Sequence, residues 1–169
     1  MSSTFRIWTC AAHSPIYRCG GWAAVRAGLG LVTGVAGGER NTTVRRTALS
    51  GLAAALRDLP PVDEKTSGGP ISIQTTSAEL AEFAGFLASL GEPTQPAGPD
   101  EDLDLWARIS TAVKGRRLSV TRTPLEAGAP IAFTSAWADL ALDKAKSTGA
   151  FATAIPKVNL VKIPGLDRR

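Results

Sequence analysis

The chain has 169 residues, a mass of 17.6 kDa, a hydrophobic fraction of 44% and a net charge of +4. That length suits one domain, or one domain with a tail. No apolar run approaches the roughly 18 residues a membrane-spanning helix needs. Residues 1–6 lack the charged and apolar segments of a signal peptide, so the expected location is the cytoplasm.

In chain order, Thr4–Thr9 alternates Phe5, Ile7 and Thr9 with Arg6 and Trp8 and predicts a strand. Ala11–Arg18, with Pro15, predicts a loop. Gly20–Ala27 and Leu29–Gly37 predict two strands turning around Gly28. Asn41-Thr-Thr offers caps for a helix over Val44–Leu59, stopped by Pro60-Pro61. Its Ala48, Leu49, Leu52, Ala53 and Leu56 fall at helical spacing. Asp63–Pro70 predicts a loop and Ile71–Thr76 a short buried strand. A second helix starts at Ser77, with Leu80, Phe83, Phe86, Leu87 and Leu90 on its apolar face.

Gly91–Asp104, with three prolines and four acids before its last residue, predicts a loop. Leu105–Val113 predicts a third helix, Arg116–Thr123 a basic strand, Pro124–Pro130 a loop and Phe133–Thr148 a last helix. The domain is expected to span 1–150. Residues 151–169 form a tail whose Val158, Leu160, Val161 and Ile163 can dock on the body or on a partner. The order β-β-β-α-β-α-α-β-α implies a mixed sheet with helices on both faces.

Charge is segregated along the chain. Residues 1–57 carry seven Arg against Glu39 alone, net +6; residues 58–106 sum to −9; residues 107–169 sum to +7. Cys10 and Cys19 flank His13, the single histidine. Zinc sites need four ligands, usually in close pairs, so two reduced thiols are expected, with no metal ion and no cofactor. A Cys10/His13 nucleophile pair is the other reading of these residues.

Several motifs carry a family resemblance. Phe5-Arg-Ile-Trp-Thr-Cys10 sits where a first strand ends Thr-Asp-Gly-Ser in ribonuclease HI. Gly20-Gly-Trp-Ala-Ala resembles that family's second strand. Asn41-Thr-Thr-Val-Arg-Arg-Thr-Ala-Leu resembles the start of its first helix, and Ile71-Ser-Ile-Gln-Thr-Thr-Ser a strand ending Thr-Asp-Ser. Asp104-Leu-Trp-Ala-Arg-Ile resembles Asp-Leu-Trp-x-Arg-Leu, and Thr134–Ala141 the last helix. Over residues 4–148 the chain thus resembles the ribonuclease H family. The resemblance implies an α/β fold with a five-stranded mixed sheet, order 3-2-1-4-5, flanked by helices on both faces.

It also implies where a two-cation site would lie. In the family four carboxylates hold two divalent ions that activate water and stabilise the leaving oxygen. The matching positions here are Cys10, Ala48, Thr76 and Ala138, none of them a carboxylate. Asp139 is one residue off, about 100° around the helix, and Glu79 lies three residues past Thr76. The family's histidine loop has no counterpart, because Thr123–Pro130 lacks His. An inactive member of the family is therefore expected.

Two roles remain. Arg18, Arg40, Arg45, Arg46, Arg116, Arg117 and Arg122, with Lys114, fall on segments that meet the nucleic-acid backbone in active relatives. Loss of four carboxylates makes such a face more positive, which favours a non-cleaving nucleic-acid binder. The alternative is a protein-interaction module contacting partners through its acidic middle and apolar tail.

Overall fold

The computed structural model describes residues 5–60, 70–90, 98–114 and 116–166. Three antiparallel strands come first: β1 (Phe5–Ser14), β2 (Cys19–Gly28) and β3 (Leu31–Arg40). Helix α1 (Val44–Ala55) follows, then β4 (Ile71–Thr75) and the short helices α2 (Ala78–Glu82) and α3 (Ala84–Ala88). Helix α4 (Leu103–Ala112), β5 (Leu118–Arg122), α5 (Pro130–Thr148), β6 (Phe151–Ala154) and α6 (Lys157–Leu160) complete the chain. The sheet order is β5-β4-β1-β2-β3-β6. β1 pairs antiparallel with β2 and parallel with β4, and β4 pairs parallel with β5. Both faces are covered, as the element order implies.

Six strands form where the sequence predicts five. Phe151-Ala-Thr-Ala has no strong strand pattern of its own. It becomes a strand because the outer edge of β3 offers unpaired backbone groups, and residues 151–154 take them in antiparallel register from Val35 to Gly38. The segment after it docks too: Ile155, Leu160 and Ile163 are buried against the α5 face, while Val158 and Val161 stay exposed.

Other boundaries shift for local reasons. β1 runs to Ser14, because residues 11–14 pair with Cys19–Trp22 although their side chains give no strand signal. Helix α1 ends at Ala55, short of the expected Leu59, where Leu56 caps it and Asp58 turns the chain at φ 58°. The expected second helix splits at Phe83 (φ −95°, ψ 10°). Phe83 and Phe86 there pack edge-on to Trp106, at 5.1 and 5.3 Å between centroids. Helix α5 starts at Pro130, a residue suited to a first turn. Pro61, most of the Asp63–Pro70 loop and residues 91–97 lie outside the described residues.

The sheet separates two cores. On the α1 face lie Phe5, Ile7, Leu49, Leu52, Ile71, Ile73, Leu105, Trp106 and Ile109. On the α5 face lie Trp8, Cys10, Ala23, Val25, Ile131, Ala138 and Ala141. Trp8, whose orientation the alternation leaves open, is buried and donates Nε1–H to Gln74 Oε1 at 3.1 Å.

Helix α5 lies so close to the sheet that Gly21 has no room for a Cβ: one built there meets Leu142 N at 2.1 Å and Ala138 O at 2.6 Å. These are backbone atoms, so the helix must move. Gly21→Ala is expected to destabilise by about 1–3 kcal/mol or more through overpacking. Gly85→Ala, where a Cβ meets nothing within 4 Å inside α3, should be neutral or stabilising by up to about 1 kcal/mol. Chemical denaturation of the two variants separates these outcomes.

Candidate functional site at the ends of strands one and four

Parallel pairing of β1 with β4 puts Thr9 opposite Thr75, so Thr76 emerges beside Cys10. Side-chain and backbone hydrogen-bonding groups of Thr76 lie against the thiol. Cys10 is 2% exposed, and its Sγ–H reaches Ile131 O of α5 at 3.7 Å. Burial pushes its pKa up and the nearby charge of Asp139 adds to this, while the Thr76 hydrogen bonds oppose it. Ala138 joins the same apolar cluster, but Ala48 packs on the opposite side, in the α1 core.

Three of the four positions that the resemblance matches to carboxylates thus lie together, and Ala48 is a methyl in the core on the other face of the sheet. This donor set is a buried thiol held protonated, a hydroxyl and two methyl groups. It does not fit a pair of hard divalent cations, which need several oxygen ligands, mostly anionic. Among the described residues no group of three or more His, Cys, Asp or Glu side chains is placed to hold a metal ion.

The strand's period of two also separates Cys10 from His13. Cys10 faces α5, whereas His13 Nε2 sits 2.8 Å from Thr42 O beside the start of α1. The two do not form a nucleophile–base pair. Both cysteines are free and buried.

Beside these positions is a hollow of about 280 Å³, lined by Ala11, His13, Val44, Thr76, Glu79 and Arg122 among others. Its one carboxylate, Glu79, accepts a hydrogen bond from Ser77 Oγ at 3.1 Å. Arg122, exposed at the end of β5, is its one guanidinium.

The seven arginines expected to share a face are distributed instead. Arg46 is held by three acids: it is bidentate to Asp104 (3.0 and 2.8 Å), bonds Asp102 at 3.1 Å and lies 3.7 Å from Glu39. Arg45 pairs with Glu101 at 3.6 Å and stacks on Phe83. Arg40 donates to Ala145 O and Lys146 O, satisfying orphan carbonyls at the end of α5. Arg116 is buried over Phe5, donating to Pro60 O. Arg116 and Arg117 precede β5, at the opposite end of the sheet from Arg122. Arg18 holds the turn before β2 at φ 54°, and its carbonyl accepts from Thr42 N. Arg18, Arg117 and Arg122 are exposed, as is Lys114.

Sequence reasoning missed the acid network on Arg46. Asp102 resembles a helix cap, yet it sits at φ 56° and makes no side-chain cap; its carboxylate turns to Arg46. The available signal was charge: the chain's most acidic run, residues 100–104, follows a helix start carrying two adjacent arginines.

No family model matches the chain, and no curated protein matches it. Solved structures do. The N-terminal RNase H domain of Rv2228c from Mycobacterium tuberculosis, solved as a fusion with maltose-binding protein, is 17% identical with a TM-score of 0.56, covering 85% of this chain and 96% of that one. LC9-RNase H1, a type 1 RNase H with the type 2 active-site motif, is 16% identical with a TM-score of 0.56 and covers 99% and 88%. LC11-RNase H1 in complex with an RNA/DNA hybrid is 18% identical with a TM-score of 0.56 and covers 85% and 99%. At these identities the likeness is one of fold.

The Arg46–Asp104 pair has a pH signature. The guanidinium holds the Asp104 carboxyl at about 2, below its ordinary 3.8. A depressed carboxyl contributes stability that is present above its unfolded pKa and lost as pH falls through the folded one. The stability gap between wild type and Arg46→Ala should therefore be level above about pH 4 and close towards pH 2. Thermal melts across that range check it; a gap unchanged into strong acid contradicts it.

Proposed function

Starting from a ribonuclease H fold, we propose that this chain binds nucleic acid without cleaving it. The observation that carries the reading is the hollow at the ends of β1 and β4. Thr76, Ser77, Glu79 and Arg122 line it, and the positions matched to the family's carboxylates hold Cys10, Ala48, Thr76 and Ala138. With Glu79 as its one carboxylate, engaged by Ser77 Oγ, the hollow meets a phosphate with the Arg122 guanidinium. Arg18 and Lys114 add exposed positive charge elsewhere on the surface. LC11-RNase H1, similar in fold, is in complex with an RNA/DNA hybrid, and we carry over only the ligand class.

The reaction of the family has no support in these residues. A hydrolytic water needs a metal or a general base at the scissile phosphate. Cys10 is buried and held as a thiol, Thr76 is no base near neutral pH, and the two bases lining the hollow are engaged, His13 Nε2 by Thr42 O and Glu79 by Ser77 Oγ. The chain is thus proposed to be a scaffold that has kept a binding face and lost the chemistry.

A second reading, a protein-interaction module, is favoured by one observation. The acids of residues 101–104 already neutralise Arg45 and Arg46 at the start of α1. That surface offers a balanced ion-pair network, a feature as fitting for a protein contact as for a phosphate backbone.

Fluorescence anisotropy with single-stranded, duplex and hybrid oligonucleotides at low salt separates the two. The proposal expects binding that weakens steeply with salt, and a loss of about five- to tenfold for Arg122→Ala, one phosphate contact's worth. Arg46→Ala should act mainly on stability. Absence of binding at low salt overturns the proposal in favour of the second reading. Magnesium-dependent cleavage of the hybrid overturns the non-cleaving part.

A further inference from the structure

The β2–β3 hairpin turns through Leu29 at φ 53° and Gly30 at φ 75°. A two-residue turn with both residues left-handed is best served by Asn-Gly. Leucine is a poor choice for this backbone, and here its side chain gains no burial in return, being 55% exposed. Leu31, next along, is 69% exposed. Beside this tip lies α6. Its Leu160 turns inward, while Val158 and Val161, three residues apart, are 67% and 60% exposed. A shallow hollow of about 320 Å³ joins the two elements, bounded by Arg6, Leu29, Leu31, Lys157 and Val161.

The charge around this patch has one sign. Residues 26–34 and 155–163 contain no Asp or Glu; Arg26 is turned to Ala55 O and Arg57 O, and the exposed cations are Lys157 and Lys162. The exposed leucines elsewhere differ: Leu103 sits between Asp102 and Asp104, and Leu140 follows Asp139. Four exposed aliphatic side chains beside two exposed lysines match an apolar layer beneath anionic headgroups. Apart from the cations, the hydrogen-bonding side chains of these two segments are only Thr33 and Asn159.

We propose that the β2–β3 tip and α6 form a docking surface for anionic lipid bilayers, on which the chain lies without spanning. No described helix is long and apolar enough to cross a membrane. Leu29 and Leu31 insert below the headgroups, and Lys157 and Lys162, both exposed, meet the lipid phosphates. The surface lies at the Arg6 end of β1, the hollow described above at the His13 end. Both can be occupied at once, so the chain can hold nucleic acid beside a membrane. The lipid surface stands whether or not nucleic acid binds.

The test is co-sedimentation with vesicles of phosphatidylcholine alone and with roughly one third phosphatidylglycerol. Wild type should pellet with the anionic vesicles and less with the neutral ones, more weakly as salt rises. Leu29→Asn with Leu31→Thr should reduce binding about tenfold or more. Its melting temperature should be equal or higher, because Asn suits the left-handed turn. Lys157→Glu with Lys162→Glu should abolish the preference for anionic lipid. The proposal falls if wild type ignores anionic vesicles at low salt, or if the leucine variant binds them as wild type does. It also falls if wild type ignores vesicles and the leucine variant instead abolishes a dimer of the free protein, which would make the patch a self-contact.

Discussion

The close approach of α5 to the sheet is the constraint on which the rest depends. Gly21 and Gly38 remove two side chains from its path, so the carbonyl of Ala138 sits over one and the Cβ of Ala145 near the other. That depth brings Ile131 O within reach of Cys10 Sγ and places Ala138 in the same dry cluster. An Asp at Ala138 or Cys10 would enter this cluster as a buried anion, which is strongly disfavoured without a cation or hydrogen-bond donors around it. Both side chains serve packing in this dry cluster. A single carboxylate restored to the cluster would have no partner.

The second organising feature is electrostatic. In sequence the charges lie in blocks of opposite sign. In space the acids of residues 101–104 return to the start of α1 and engage Arg45 and Arg46. Arg26 and Arg40 are likewise spent on helix ends, donating to the last carbonyls of α1 and α5. What remains outward among the described residues is Arg18, Arg57, Arg108, Arg117, Arg122, Lys114 and Lys144, with Lys157 and Lys162 of the C-terminal segment. Positive charge in such a chain is a poor guide to a binding face until its internal partners are subtracted.

The fold was legible because the apolar periods are clean where the core is thick. β1 alternates, Leu49 and Leu52 mark the buried side of α1, and Ile71 and Ile73 mark β4. β6 was not legible, since its four residues owe their strand to the free edge of β3 rather than to side-chain pattern. The split at Phe83 depends on two rings finding Trp106, a tertiary event with no local signal. At the site, the identities of Cys10, Ala48, Thr76 and Ala138 could be read directly. The burial of Cys10 under α5, and the engagement of Arg46 by Asp102 and Asp104, depend on contacts across more than 50 residues of chain. Leu29 shows the same limit: its left-handed turn and exposure emerge only once β2 and β3 are in register.

The central claim is that this fold keeps its architecture without a divalent-cation site. The most direct measurement is a manganese titration followed by the spin signal of the free ion, with magnesium competition. The account predicts that free manganese tracks added manganese, with no saturable binding beyond weak surface association. A saturable, magnesium-competed site that disappears with Asp139→Ala or Glu79→Ala would contradict it, because the charge of Asp139 acts on Cys10 and Glu79 lines the hollow beside Thr76.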